Sequence, residues 1–286
     1  MMASSGQVVA AAAVLLLMQL QTVTSATFGA RDPPPPALRE AQAACVKYLG
    51  ICENRLHQYN NSVYPTDQDT MCMVRCAGIM VGFWDDCQGL KLDGLANLFP
   101  ALAANDRVRY QIMSCAEKRI ATCPPQDTCA RAYNGFRCFL DAQKGGFGAK
   151  DMQPQQSTPP QPFDAQEFIR SLSICAKLQR IPKDRRDLYV QGVFPNDDKT
   201  RSLIRCVGIR TGLYDDEQGP NIALLYSLFG AGQSESEFRR RANLCIDANQ
   251  PLLEAQDKNA QAYVKLYRCF ADQISALVRA NANAMA

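Results

Sequence analysis

The chain contains the stretch Arg75-Cys76-Ala77-Gly78-Ile79-Met80-Val81-Gly82-Phe83-Trp84-Asp85-Asp86-Cys87-Gln88-Gly89, and it contains it twice. The second copy begins 130 residues later and reads Arg205-Cys206-Val207-Gly208-Ile209-Arg210-Thr211-Gly212-Leu213-Tyr214-Asp215-Asp216-Glu217-Gln218-Gly219, with nine of fifteen positions identical. The same offset carries Cys45 onto Cys175 and Cys115 onto Cys245, while an offset of 131 carries Cys138 onto Cys269. A period of this length matches the size of a whole domain. The sequence therefore predicts a duplicated domain.

Length and charge agree with two ordinary soluble domains. The chain has 286 residues, 47% of them hydrophobic, and a net charge of +3. Each half is long enough to bury a core of its own. The near-neutral charge excludes the basic footprint typical of nucleic-acid binding, and the apolar content excludes a disordered chain.

The N-terminus predicts the compartment. Val8 to Met18 is apolar, and Thr24-Ser25-Ala26 is a small-residue cleavage pattern, so residues 1–26 are predicted to be a secretory signal peptide. The apolar stretch is too short to cross a membrane core of ~30 Å, and no later stretch is long enough. The mature protein is therefore predicted to be secreted and extracellular, with no membrane span. Most of its thirteen cysteines should then be oxidised.

Apolar residues recur at helical spacing through both halves, and no alternating stretch favours a strand. The predicted domains are 27–147 and 164–286, joined by a Pro/Gln-rich linker at 148–163. The first helix is predicted over Ala37 to about His57. Residues with N-cap chemistry are expected to begin later helices. These are the Thr66-Asp67-Gln68-Asp69 capping box, Asn105-Asp106, Asp127, Asp164, Asn196 or Asp197, and Ser234 with Glu237.

Comparing the two copies predicts one disulfide directly. Two cysteines of domain 1 have no cysteine at the matching position of domain 2. The position matching Cys72 is Ser202, and the position matching Cys129, counted back from Cys269, is Ala260. Losing one cysteine of a disulfide would leave its partner as an unpaired thiol, whereas losing both leaves only cysteines that can still pair. Cys72 is therefore inferred to pair with Cys129. This comparison leaves the pairing of the other cysteines open.

The spacing Cys45-x26-Cys72-x3-Cys76 with Cys129-x8-Cys138, together with the helical pattern, resembles the insect odorant-binding proteins of the pheromone-binding and general-odorant-binding class. The duplication resembles the two-domain members of that family, described mainly from mosquitoes. The family pattern pairs the first cysteine with the third, the second with the fifth and the fourth with the sixth. The resemblance thus implies Cys45–Cys76, Cys72–Cys129 and Cys115–Cys138 in domain 1, and Cys175–Cys206 and Cys245–Cys269 in domain 2. The predicted fold is all-α, with two tandem disulfide-linked bundles of about six helices each, and with one disulfide fewer in the second copy.

The resemblance implies binding of small hydrophobic ligands, namely odorants, pheromones or related lipids, and a part in olfaction. Disulfides can hold a helical shell around an apolar cavity lined by residues of core type. The candidate ligand contacts are Met80, Phe83, Trp84, Leu95, Leu98, Phe99, Met113 and Phe136 in domain 1, and Ile209, Leu213, Tyr214, Leu224, Leu228, Phe229 and Leu266 in domain 2. Apolar residues at helical spacing are also what any plain core contains.

The residues that could carry catalysis are few, and no enzyme, cofactor or metal site is predicted. His57 is the single histidine, and no nucleophile, zinc or phosphate-binding motif accompanies it. Asp85-Asp86 and Asp215-Asp216 are interpreted as turn residues that satisfy local backbone groups. Arg239-Arg240-Arg241 would spread around a helix, which favours a solvated face over a docking patch.

Three cysteines and one sequon lie outside this scheme. Cys87 and Cys123 are predicted to form an extra disulfide because both lie in turns, which leaves Cys52 free or paired with a second copy of the chain. Asn60-Asn61-Ser62 is a glycosylation sequon at Asn60. A chemosensory receptor is the other candidate partner that the resemblance implies.

Two alternatives remain open at this point. One is a salivary scavenger of biogenic amines or lipid mediators with the same doubled helical plan, which would need carboxylates inside a pocket. The other is a structural or interaction protein whose interior is filled by side chains. Ligand titration separates the three hypotheses.

Overall fold

The computed structural model describes residues 33–144, 163–249 and 256–282, and these residues are mostly helical. The predicted signal peptide and residues 148–162 of the predicted linker lie outside the described residues. Repeat 1 (residues 33–144) and repeat 2 (residues 163–282) each contain the six helices that the all-α prediction requires, with the last helix of repeat 2 divided into segments.

The helices of repeat 1 are α1 (Pro36–Leu49), α2 (Asn54–Asn60), α3 (Gln68–Val81), α4 (Leu92–Leu98), α5 (Asp106–Ala121) and α6 (Thr128–Lys144). Those of repeat 2 are α7 (Ala165–Leu178), α8 (Lys183–Val190), α9 (Asp198–Thr211), α10 (Ile222–Phe229), α11 (Glu235–Asn249), α12 (Lys258–Ala262) and α13 (Ala271–Ala280). Between α12 and α13, the chain forms a π-helix at Tyr263–Tyr267 and a 3₁₀-helix at Arg268–Phe270.

Two helix boundaries differ from the prediction. The helix predicted over Ala37 to His57 is divided at Gly50, which adopts a left-handed conformation with φ 68° and ends α1. The capping box predicted from Thr66 begins one residue later, because the Asp67 carboxylate accepts the Thr70 N–H at 2.9 Å. Caps form as predicted at Asn105, Asp127, Asp164, Asp197 and Ser234.

The repeated fifteen-residue stretch forms a helix end followed by a small hairpin. In repeat 1, Gly82 ends α3 with φ 87°, and β1 (Trp84–Asp85) then pairs antiparallel with β2 (Gly89–Leu90). In repeat 2, Gly212 ends α9, and β3 (Tyr214–Asp215) pairs with β4 (Gly219–Pro220). A Cβ on Gly78 would lie 2.6 Å from the Phe83 ring, so only glycine lets the hairpin fold back onto its own helix.

The offset of 131 between Cys138 and Cys269 has its cause in the π-helix. Tyr133 and Tyr263, which are 130 apart, donate equivalent 2.8 Å hydrogen bonds to the Tyr64 and Phe194 carbonyls. The extra residue must therefore lie between Tyr263 and Cys269, where the chain is wound as a π-helix that absorbs one added residue. Cys129 then corresponds to Asn259, so the assignment to Ala260 was wrong by one residue.

Five disulfides tie the helices together. They join Cys45 to Cys76, Cys72 to Cys129, Cys115 to Cys138, Cys175 to Cys206 and Cys245 to Cys269. These are the pairs that the family resemblance implied, and the bridge missing from repeat 2 is the one inferred from the repeat comparison. The predicted bridge between Cys87 and Cys123 is wrong, because both are free thiols.

Buried apolar residues from both repeats form one connected core cluster. It includes Leu38 and Phe139 of repeat 1 and Phe168 and Val278 of repeat 2. Of the helices that the structure describes, none has the length and apolar character needed to cross a bilayer.

Candidate functional site

The predicted ligand contacts of repeat 1 lie together in its interior. Phe83 stacks on Phe136 with ring centroids 5.1 Å apart, and Phe99 packs against Phe139 at 4.6 Å. All eight predicted residues are buried except Met113, which is half-buried. The interior of repeat 1 is thus closed in this conformation.

The predicted contacts of repeat 2 are less completely covered. Leu213, Tyr214 and Leu266 are buried, whereas Ile209, Leu224, Leu228 and Phe229 are only half-buried. The last three lie on α10, where Leu225 is the one residue that is buried. A mostly apolar helix with so little burial leaves an incompletely covered apolar surface beside the core of repeat 2.

Sequence reasoning missed a polar pair inside repeat 1. Gln42, which is 1% exposed, donates a 2.7 Å hydrogen bond to the Tyr64 hydroxyl, and its own side-chain oxygen is buried without a partner. Burial raises the pKa of Tyr64 well above its usual range, against the smaller lowering effect of the Gln42 hydrogen bond. At the equivalent positions, 130 residues later, repeat 2 has Leu172 and Phe194.

Repeat 2 has a half-buried cation where repeat 1 has an apolar side chain. Arg210 occupies the position of Met80, and it donates to the Ser171 hydroxyl at 3.1 Å and to the Glu167 carboxylate at 3.3 Å. Burial lowers the pKa of Arg210, while the charge of Glu167 opposes that shift. Comparing the aligned repeats would have revealed both this difference and the Gln42–Tyr64 pair.

The doubled aspartates have two separate roles. Asp85 accepts the backbone N–H groups of Cys87 and Gln88 at 2.9 and 3.0 Å, as the turn interpretation predicted. Asp86 instead forms an ion pair with Arg75, and Asp216 forms the equivalent pair with Arg205. Burial would raise the pKa of Asp86, but hydrogen bonds from Arg75, Arg180 and Trp84 outweigh it and lower the pKa to about 2.

The same arginines join the two repeats. Arg75 donates at 2.9 Å to the carbonyl of Leu178, at the end of α7, and Arg205 donates at 3.0 Å to the carbonyl of Tyr48, near the end of α1. Leu178 and Tyr48 are themselves 130 residues apart, so the contacts are reciprocal. Arg205 also lies over the Tyr48 ring, with its guanidinium carbon 5.5 Å from the centroid.

A cleft of about 540 Å³ opens to solvent where the repeats meet. Its lining includes the hairpin of repeat 1, the start of α6 and the end of α7. Charged side chains are prominent in it: Asp85, Asp86, Lys91, Arg131, Lys177, Arg180 and Arg186. The cleft lies outside both interiors. Trp84 is the only predicted ligand contact of repeat 1 that belongs to its lining, and it is buried there with its indole N–H donated to Asp86 at 2.9 Å.

The remaining predicted features lie at the surface. His57 is exposed and contacts Asn61, and Arg239, Arg240 and Arg241 are all exposed. Asn60 ends α2 with its side-chain oxygen buried, so glycosylation there stays a prediction. Cys52 is an exposed free thiol, and its pairing with a second copy also stays a prediction.

Comparison with known proteins gives a consistent result. The PBP/GOBP family matches residues 35–142 and again residues 161–273. Odorant-binding protein 22 of Aedes aegypti is 26% identical over 102 residues, which cover 36% of this chain and 71% of that protein. General odorant-binding protein 99a of Drosophila melanogaster is 30% identical over 78 residues, which cover 27% of this chain and 55% of that protein. No solved structure matches the chain.

Proposed function

Because the chain belongs to the PBP/GOBP family through both of its repeats, we propose that it is a secreted two-domain carrier of small hydrophobic ligands that catalyses no reaction. The ligands are odorants, pheromones or related lipids. Both curated relatives described above are named as odorant-binding proteins, which supports the proposal. The N-terminal pattern at residues 1–26 and the five disulfides support secretion.

The observation that carries the proposal is the incomplete burial of α10. Leu224, Leu228 and Phe229 are half-buried although they adjoin the core of repeat 2. An apolar ligand that covers this surface removes apolar area from water, which stabilises the complex by roughly 25 cal/mol per Å². Repeat 2 also lacks the bridge between its third and sixth helices, so it can adapt its shape more readily than repeat 1.

The proposed contacts are the fifteen residues predicted from the sequence. In repeat 2 they lie on α9, the start of the following hairpin, α10 and the π-helix, while in repeat 1 the closed interior must open for a ligand to enter. Repeat 2 is therefore the first site expected to fill. A receptor and a second copy joined through Cys52 remain candidate partners.

The structure does not favour an amine scavenger. A cationic ligand would need a carboxylate facing an apolar pocket, and none of the described Asp or Glu residues is buried. Glu167, which lies beside the core of repeat 2, is already paired with Arg210 at 3.3 Å.

The test is displacement of a fluorescent apolar probe, N-phenyl-1-naphthylamine, from the full oxidised chain. Leu228→Gln should weaken probe binding at least about fivefold, because the probe loses an apolar contact worth about 1 kcal/mol or more. Leu244→Gln is the matched control, since Leu244 belongs to the same repeat and is 58% exposed. A wild-type chain that binds neither the probe nor any odorant, yet has its disulfides intact, would contradict the carrier proposal. Preferential binding of serotonin would favour the amine scavenger instead.

A further inference from the structure

The junction between the repeats is approximately two-fold symmetric, and the cleft lies where that symmetry is broken at an ion pair. On one side, the Lys47 ammonium lies 2.8 Å from the Asp215 carboxylate and closes the junction. The equivalent residues on the other side are Lys177 and Asp85, each offset by 130. Both line the cleft, and within the described residues they form no ion pair with each other. The second side of the junction is therefore open where the first is closed.

The open side carries a concentrated positive charge. Five cations and two carboxylates line the cleft, an excess of three positive charges. Asp86 does not neutralise the remaining cations, because Arg75 and Arg180 already occupy it at 2.5 and 2.8 Å. Arg75 itself lies outside the cleft lining.

Four cations in the cleft have no carboxylate partner among the described residues. Arg131 donates to the Pro125 carbonyl at 3.4 Å, and no acceptor is found in the described structure for the side chains of Lys91, Lys177 and Arg186. These groups come from α4's N-cap position, α6, α7 and α8, so they reach the cleft from both repeats. A concave surface lined by charge of one sign focuses its field on a small ion more strongly than a flat surface does.

Apolar side chains supply another part of the lining. Ile79 of α3 and Ala176 of α7 belong to it, together with Ile181 and Pro125. The volume of about 540 Å³ lies in the range of small-molecule sites. Because one part of the wall is positively charged and another is apolar, the cleft favours a ligand that has both an anionic group and an apolar body.

From this geometry we propose that the cleft between the repeats binds a small organic anion, with one or two carboxylates held by the cations and an apolar or aromatic body against Ile79 and Ile181. This site is separate from the two interiors and does not depend on the carrier function proposed above. A dianion binds more tightly than a monoanion, and a neutral compound of the same shape does not bind.

The cleft contains its own reporter, since Cys87 is an exposed free thiol in its lining. In a Cys52→Ser, Cys123→Ser background, Cys87 is the one free thiol left beside the ten disulfide-bonded cysteines. The rate of its alkylation by neutral iodoacetamide is measured at low salt with phthalate, benzoate, benzamide and benzylammonium. Phthalate should slow alkylation at the lowest concentration, benzoate at a higher one, and benzamide and benzylammonium should have no effect. The protection by phthalate should weaken as salt is added.

Paired variants test the assignment to the cleft. Lys177→Gln with Arg186→Gln should raise the phthalate concentration for half-protection about tenfold. Lys199→Gln with Arg240→Gln changes the net charge equally at exposed residues outside the cleft and should leave that concentration unchanged. Each comparison uses the ratio of rates with and without phthalate, which removes any change in the intrinsic reactivity of the thiol. Equal protection by benzamide, or equal effects of the two double variants, would overturn the proposal, while apolar-probe binding measured in parallel reports on the carrier function alone.

Discussion

Arg75 and Arg205 show why the fifteen-residue stretch has a similar sequence in both repeats. Each arginine pairs with the aspartate eleven positions later, across the helix end and hairpin, and each donates to a backbone carbonyl of the other repeat. The stretch therefore stabilises its own repeat and the junction with the same side chain. Gly78 and Gly82 complete it, because the fold needs close approach at one and a left-handed conformation at the other.

Neutralising Asp86 should remove a pH-dependent part of the stability. The pKa of Asp86 is lowered to about 2 in the folded protein, compared with about 3.9 for an unperturbed aspartate. Its contribution is therefore fully present above about pH 4 and is lost as the pH falls through about 2. We expect Asp86→Asn to reduce the free energy of unfolding at pH 7 by about 1–3 kcal/mol and to flatten its fall between pH 4 and pH 2. Urea unfolding over that range measures both effects.

Asp93→Asn is the control for that prediction. Asp93 also pairs with an arginine, Arg109, but its side chain is 92% exposed. Exposed ion pairs contribute little, so this variant should behave like the wild type. If both variants had the same pH profile, the stabilising role of the Arg75–Asp86 pair would be wrong.

The Gln42–Tyr64 pair offers a second residue-level prediction, because repeat 2 supplies the replacement. Tyr64→Phe alone leaves the buried Gln42 amide without its acceptor and should cost about 1–3 kcal/mol. Gln42→Leu together with Tyr64→Phe reproduces Leu172 and Phe194 and should be neutral or stabilising, since both side-chain polar groups of the pair are then removed together. Thermal unfolding of the single and double variants measures the difference. A double variant less stable than Tyr64→Phe alone would show that the pair is stabilising as it stands.

At the scale of single elements, the sequence predicted helices well where a side chain caps them. The helices that begin after Asp164 and Asp197 have a local cause that is visible in the sequence. Each has a carboxylate three residues before a backbone N–H that lacks a partner within the helix. The break at Gly50 was missed because apolar periodicity continues across it. The two-residue strands were missed because alternation over so short a segment cannot be distinguished from a turn.

The π-helix is an element that the sequence signalled without identifying. The change of offset from 130 to 131 showed that one residue had been added, but two anchors were needed to locate it. The Tyr263 hydrogen bond fixes one anchor and the Cys245–Cys269 bridge fixes the other. Between two fixed points, an added residue must be absorbed locally, and a wider helical turn does so without rotating Cys269 out of register.

At the scale of the whole molecule, the sequence predicted two domains but not their junction. The acceptors of Arg75 and Arg205 are backbone carbonyls at helix ends, which every helix has, so no sequence pattern marks them. The interior candidates were easier to predict, because helical spacing places apolar residues on one face. Whether Leu224, Leu228 and Phe229 remain half-covered depends on how α10 packs against the rest of repeat 2, and only the structure reveals that.

The two repeats should differ in local stability within the intact molecule. Repeat 1 has the Cys72–Cys129 bridge, which spans 57 residues and contributes about 4 kcal/mol in the loop-entropy model. Repeat 2 lacks that bridge and has an incompletely buried α10. Hydrogen exchange of the full chain, followed by mass spectrometry of its fragments, should therefore show repeat 2 (α7 to α13) exchanging before repeat 1 (α1 to α6). A difference of about 4 kcal/mol corresponds to a protection ratio of up to about a thousandfold.

Replacing the bridge with the residues of repeat 2 isolates its contribution. Cys72→Ser with Cys129→Asn installs the counterparts of Ser202 and Asn259. It should remove most of the difference in protection between the repeats, mainly by loosening repeat 1. Because Arg75 and Arg205 connect the repeats, part of the loosening should extend to the carbonyls they bind at the ends of α1 and α7. If repeat 1 kept its protection in this variant, the difference would have to come from packing. The closed interior of repeat 1 and the open flank of α10 would then be the cause of the unequal stability, and the number of disulfides would not.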